Sequence, residues 1–490
     1  MEKNRFLQHS TFLMASKLAN YTAVFLTGVL ITRSFSKTDY GTFSQVILLA
    51  TTLSLILGVW LSKSIYYFVP LDHRKRQIAV RTYLVLLLLA AAAGAGLWLL
   101  RHRLAVWLNN PDLAALAVLL GLYMIMLTLW QLSESFFISV DRAHIYALAV
   151  MVFSLIYLSV LGAALARGIS LEQLIRIIVC LYAGLNLFVL INMLTVPGPR
   201  GPLLGSGLLI RQIRYAAPLF LSSFAIVLGR QLDKFIIASV YPTTDFAVYF
   251  RGALELPVVT IVTFTVSNML LPQFVKLYQA GQHKDFLYLW HQAVKKTALI
   301  IFPILVIFLF VSQRFMTFLY TERYIQSASI FRIYVLMMLF QVTAYDCIIQ
   351  ATGKTQFIFY ASMLNVITTL SASLVLIRWL GIQGAAMGFL LGQLVATMYY
   401  LGRIRGIFDI ALKHLFPWKH LVQVLGLTLL LGAMLYGLHF TPWFSSKLVF
   451  MLVYGSLFMA VYILLIFRLG FVRRADLSFL RAPLGSGDRR

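Results

Sequence analysis

The chain has 490 residues, of which 61% are hydrophobic and 12% charged, with a mean hydropathy of +0.86. A soluble domain of this length needs polar residues facing solvent every few positions. Runs such as 83–100 offer none, so the composition excludes that class and predicts an all-α polytopic membrane protein. The formal net charge of +25 is spread over short connections instead of one basic domain, which argues against a nucleic-acid partner and fits orientation by the positive-inside rule.

In chain order, the first apolar run, from about Phe12 to Ile31, is as long as a spanning helix, so it is expected to be retained and not cleaved as a signal peptide. Apolar runs of about 18–28 residues predict about fourteen spans. They centre near residues 22, 55, 89, 126, 155, 184, 227, 260, 304, 340, 368, 394, 430 and 457. Basic residues concentrate in alternate connections: Lys3 and Arg5, then Arg74, Lys75 and Arg76, then Arg142, Arg200, Arg211 and Arg214. The same side continues with Lys276, Lys284, Lys295, Lys296, Lys354, Arg403, Arg405, Lys413, Lys419 and the arginine-rich tail. This bias places both termini in the cytoplasm of a multi-pass protein of the inner or plasma membrane, which requires an even number of spans.

Two connections are longer than the rest. Pro197–Gly207, reading PGPRGPLLGSG, is a flexible linker between halves. The stretch from Lys276 to Lys296 contains HKDFLYLWHQAVKK, whose aromatic and basic residues predict a short amphipathic helix lying on the membrane surface. Neither is large enough for a catalytic domain.

The two halves repeat. TDFAVY at Thr244–Tyr249 matches TDYGTF at Thr38–Phe43 at a shift of about 206 positions, and the same shift sets Leu232 on Leu26 and Ile237 on Ile31. TGKTQF at Thr352–Phe357 lies where DRAHIY, Asp141–Tyr146, lies in the first half; both join the fourth span of a half to the fifth. The linker follows six spans, so the second half re-enters with the same orientation, and the halves are parallel repeats about a pseudo-twofold axis along the membrane normal. The expected organisation is 1–196 as a first six-helix lobe, 197–212 as the cytoplasmic linker, 213–405 as a second six-helix lobe, and 406–490 as two appended spans with a basic tail.

Charges at membrane depth mark function by default. The second half carries Arg230, Asp233 and Lys234 in one apolar segment, then Arg251 and Glu255 in the next; helical spacing puts each set on one face. Lys17 stands in the first span with no acid within a turn of it, and Lys63 lies deep in the second or at its far end. Glu134, Arg332 and Asp346 add charges in later spans. One reading makes Arg230–Asp233 and Arg251–Glu255 internal ion pairs that fix packing. The other turns Lys17, Lys63, Arg230, Lys234 and Arg251 toward a substrate, with Asp233, Glu255 and Glu134 as ion-pair or coupling groups. Lys17 and Lys63 also have the length to snorkel to an interface.

No catalytic or cofactor constellation is visible: there is no HExxH, no phosphate-binding loop and no Ser/His/Asp set that could be placed together. Cys180 and Cys347 lie far apart in apolar segments and build neither a disulfide framework nor a metal site; both are expected to be packing residues.

Three stretches in this order resemble the polysaccharide-flippase (Wzx-like) branch of the multidrug/oligosaccharidyl-lipid/polysaccharide (MOP) exporter superfamily. They are SKTDYGTFSQVILL, LDKFIIASVYPTTDFAVYF, and IQATGKTQFIFYASMLNVITTLSASLVLIRWLGIQGAAMGFLLGQL from Ile349 to Leu394. The resemblance covers about Phe12 to Arg405. It implies two lobes in a V shape that open alternately to each side, moving undecaprenyl-diphosphate-linked oligosaccharide from the cytoplasmic to the periplasmic leaflet. It also implies no cofactor, and membrane lipids and the polymerase and glycosyltransferases of the same pathway as partners. A basic interior suits a diphosphate headgroup, with Lys17 and Arg251 its expected ligands. The alternatives are a cation-coupled multidrug exporter of the same superfamily, which resembles this chain in lobe architecture but uses an acidic residue in its first span, where this chain carries Lys17 and no acid, and a membrane-bound polymerase, ligase or glycosyltransferase.

Overall fold

The computed structural model describes residues 2–197, 206–437 and 446–471; half of the 197–212 linker, 198–205 with Arg200, and the basic tail beyond 471 lie outside them. Every regular element among the described residues is a helix. They are α1 (Glu2–Ser34), α2 (Lys37–Leu71), α3 (Lys75–Leu99), α4 (Arg101–Trp107), α5 (Asp112–Ser139), α6 (Ala143–Ala166), α7 (Leu171–Leu194), α8 (Ser206–Val240) and α9 (Thr243–Gly252). After them come α10 (Pro257–Gln279), α11 (His283–Tyr320), α12 (Ser327–Leu336), α13 (Tyr345–Ala351), α14 (Gln356–Leu380), α15 (Ile382–Phe408), α16 (Leu412–Leu415), α17 (Trp418–Tyr436) and α18 (Lys447–Arg468).

Thirteen stretches among the described residues are long and apolar enough to cross a membrane. The remaining predicted span, centred near 227, is α8, a helix of 35 residues that carries Arg211, Arg214, Arg230, Asp233 and Lys234.

Local sequence sets the helix starts. Ser36 caps α2 by accepting the Asp39 backbone N–H at 3.1 Å, a contact worth about 1 kcal/mol. Ser170 and Gln173 form a reciprocal capping box at the head of α7. The boundaries also repeat: α1 ends at Ser34 and α8 at Val240, while α2 starts at Lys37 and α9 at Thr243, both 206 positions apart. Packing repeats as well, for α1 lies on α6 and α8 on α14. A left-handed residue stands at each matching connection, Asp141 (φ 58°) and Gly353 (φ 74°).

Contacts divide the chain into two compact units. The first holds residues 1–257 and 353–403. Its largest packing surface sets α2 against α5, and α2 also lies against α8 and α9. Gly384, Gly388 and Gly392 let α15 lie directly on α14; a Cβ at Gly388 would sit 2.2 Å from Ser373 Oγ. Small residues four apart are how membrane helices approach closely where no hydrophobic effect drives them together.

The second unit holds 258–352 and 404–490, with α11 at its centre against α12, α17 and α18. Of the two appended spans, α18 is fastened to α11 by the Tyr462 hydroxyl on Leu299 O at 2.9 Å and by Arg314 stacked over Phe450 at 3.7 Å, and α17 by Tyr436 against Phe310 at 5.5 Å. Cys347 is buried there, whereas Cys180, on α7 in the first unit, is exposed and not the packing residue expected.

Two expectations are corrected. The 276–296 stretch is no separate surface helix: α10 ends at Gln279, and His283–Lys296 is the first part of α11, which runs unbroken to Tyr320. At 1.5 Å per residue α11 is about 57 Å long, nearly twice a bilayer core of about 30 Å, so one helix can both span and project. The segment centred near 260 is no single helix either. It stops at Gly252 and resumes at Pro257, because proline supplies no N–H and disfavours helix in the residue before it, yet is well suited to open a new one.

Candidate functional site

That break places the site. Residues 253–255 leave the helix and, with Phe250 and Arg251, form one wall of a cavity of about 640 Å³ inside the first unit. The second wall is a face of α2: Ile47, Leu48, Thr51, Leu55, Val59 and Lys63. The third is a face of α8 that carries Arg230, Gln231 and Lys234. Four cations, Lys63, Arg230, Lys234 and Arg251, and one carboxylate, Glu255, therefore line a single space.

Their states differ. Arg251 is clasped by the first half: its Nη2 donates to Gly28 O at 2.5 Å, and its guanidinium lies 4.4 Å over the Tyr40 ring. Gly28 leaves the guanidinium room, since a Cβ there would lie 3.3 Å from it and ask it to shift slightly. Lys234 is buried and donates to Arg230 O at 3.2 Å. Asp233 is fully buried and accepts the Tyr249 hydroxyl at 2.5 Å. Arg230, Lys63 and Glu255 are exposed to the cavity, and their side chains have no hydrogen-bond or ion-pair partner among the described residues. A guanidinium offers five donors in a fixed fork, which suits Arg230 to an anion with paired oxygens.

Residues 30–329 match the polysaccharide biosynthesis protein family. The chain belongs to that family. No curated protein matches the sequence. Among solved structures this family member is similar to the lipid II flippase MurJ in an inward closed conformation, at 15% identity and a TM-score of 0.75, over 94% of this chain and 99% of that one. It is similar to an inward-facing MATE-family multidrug resistance transporter at 14% identity and a TM-score of 0.65, over 80% and 95%. It is also similar to a MOP-superfamily transporter from Pyrococcus furiosus, described as having a binding pocket of reverse polarity, at 13% identity and a TM-score of 0.57, over 83% and 96%. The polysaccharide biosynthesis protein thus has the fold of the MOP-superfamily transporters.

Of the residues expected from sequence, Lys63, Arg230, Lys234, Arg251 and Glu255 come together in the cavity, and Asp233 stands behind it. Lys17 and Glu134 do not line it. They form an ion pair at 2.6 Å joining α1 to α5, each partly exposed, so the acid missing within a turn of Lys17 arrives from 117 positions away. The supposed helical neighbours Arg251 and Glu255 are separated by the end of α9, and Arg251 turns to Gly28 and Tyr40. Sequence reasoning passed over Tyr40, Tyr249 and Gln231. The two tyrosines lie inside the repeated hexapeptides, where they read only as repeat landmarks.

Asp346 and Arg332 belong to the second unit, where Arg332 Nε donates to Ser312 Oγ at 2.6 Å. Among the described residues no group of three or more histidine, cysteine or acidic side chains could hold a metal.

Proposed function

We infer that this protein is a transporter that moves a lipid-linked oligosaccharide, carried on undecaprenyl diphosphate, from the cytoplasmic to the outer leaflet by alternating access between two lobes. The observation that carries this reading is the cavity: four cations against one carboxylate, with Arg230 and Lys63 unpaired among the described residues. An anionic diphosphate has reason to enter such a space, and a cationic drug does not, which favours a flippase over a multidrug exporter. The family match to polysaccharide biosynthesis supports the same substrate class. Both termini face the cytoplasm in this reading, so a cysteine placed at Lys284 escapes a membrane-impermeant label in intact cells.

The sign of the substrate supplies the energy. A cytoplasm negative to the outside drives an anion outward, and two charges crossing about 150 mV release on the order of 7 kcal/mol. Glu134, Asp233 and Glu255 are the carboxylates available if a cation helps reset the empty carrier. In proteoliposomes whose potential is set by potassium and valinomycin, at equal pH and sodium, headgroup flipping accelerates when the destination side is made positive. A rate indifferent to potential but steep in a proton or sodium gradient overturns the electrogenic mechanism.

A further inference from the structure

The cavity is long, and its cations stand at opposite ends. Trp60 of α2 meets Phe220 of α8 edge to face at 5.6 Å, which fixes the antiparallel register of the two helices. Tyr67 stacked on Tyr215 at 4.8 Å gives an alignment within about two residues of it. From the Trp60–Phe220 level, Arg230 lies ten residues on along α8, while Lys63 lies three residues on along α2 in the opposite direction. Thirteen residues at 1.5 Å each are about 20 Å, and Lys234 adds about 6 Å.

Charge-assisted hydrogen bonds hold at about 2.7–2.9 Å. One diphosphate reaches both ends only with Lys63 and Arg230 each fully extended toward the other, and it then leaves Lys234, about 26 Å from Lys63 along the helices, out of reach. The wall between them is Thr51, Leu55, Val59, Ser223, Ile226 and Val227, with no charged group, so a desolvated anion has no resting place midway.

We propose that the cavity contains two separate diphosphate stations, Lys63 at one end and Arg230 with Lys234 and Arg251 at the other, between which the headgroup steps. This rests on the transport reading above. The stations differ in grip. Lys63 is a single flexible point charge and a weak holder, whereas the far end offers the rigid fork of Arg230 beside two further cations. Glu255 lines that stronger station and opposes an anion there, which favours release.

The test is calorimetric titration of the purified full chain with inorganic pyrophosphate, together with headgroup flipping in proteoliposomes. Two pyrophosphates bind per chain. Lys63→Gln removes one and leaves the affinity of the other within about twofold, while Lys63→Arg, which keeps the charge, retains both. Arg230→Gln weakens the second site about tenfold or more and leaves the Lys63 site unchanged. A single pyrophosphate whose affinity falls in both variants overturns the two stations and leaves the transport reading standing. Two pyrophosphates with flipping unaffected by either neutralisation overturns the transport reading and leaves the two stations standing.

Discussion

The turn between α1 and α2 and the turn between α8 and α9 are the same device built twice, with helix boundaries a constant 206 positions apart. Their contents are opposite. Where the second half has Arg230, Asp233 and Lys234, the first has Val24, Thr27 and Gly28; where the second has Arg251, the first has Gln45. In the first half the helix runs on for 35 residues, and in the second it breaks before Pro257, whose counterpart is Thr51. The repeat fixes the backbone, and departures from the repeat build the site. The halves also need each other's asymmetry, because Arg251 is received by Gly28, a position that carries Lys234 in its own half.

The largest effect comes from making the two turns alike. Thr51→Pro writes the second-half break into α2, which is continuous there, and is expected to cost about 3 kcal/mol or more. The thermal midpoint and the monodisperse fraction of the purified protein report it. If both stay at wild-type values, the claim that only the second half is built to break there is wrong.

Next is the place where the two turns meet. A Cβ at Gly41 would lie 2.2 Å from Thr243 O, backbone that cannot swing aside. Gly41→Val is expected to destabilise by about 1–3 kcal/mol, while an equally large side chain at Gly426, with nothing within 4 Å of its Cβ position, leaves stability near wild type.

A smaller effect tests the clasp across the repeat. Tyr40→Leu removes the ring beneath Arg251 and is expected to cost about 1 kcal/mol, whereas Tyr40→Phe keeps the ring face and costs less. Equal losses in the two variants mean that the ring face is not what holds the guanidinium.

The smallest concerns the far end of α2, where the shift of 206 sets Asp72 and Arg74 against Tyr278 and Ala280 at the end of α10, so the second half carries no such pair. Arg74 donates to both carboxylate oxygens of Asp72, and that hydrogen bonding, with the guanidinium charge, holds the carboxyl below its usual range. A lowered carboxylate contributes stability fully above its unfolded value, about 3.9, and loses it as pH falls through the folded value. Between pH 6 and pH 3 the thermal midpoint therefore falls slightly more in wild type than in Asp72→Asn. Parallel curves show that the contact contributes nothing measurable.

Helix number and the repeat are legible in the sequence because they rest on local facts: apolar runs set spans, and TDYGTF and TDFAVY mark equivalent turns. The break at 253–256 is also written locally, in Pro257, but a continuous apolar run hides it. The residues of the cavity are legible as charges in apolar segments, since membrane depth makes any charge conspicuous.

What those charges touch is not legible there. Helical spacing joins Arg251 to Glu255 and leaves Lys17 without an acid, whereas the fold gives Arg251 to Gly28 and Tyr40 and gives Lys17 to Glu134. Spacing along one helix determines only which neighbours lie within a turn. Partners more than a hundred positions away are decided by which helices pack together and in what register, and that is set by side-chain fit across faces such as Gly41 on Thr243 and Trp60 on Phe220. The sequence by itself thus determined a repeated, charged, membrane-spanning chain. Only the tertiary structure decided that its cations stand along one elongated cavity, because distance through space is fixed by packing and not by order in the chain.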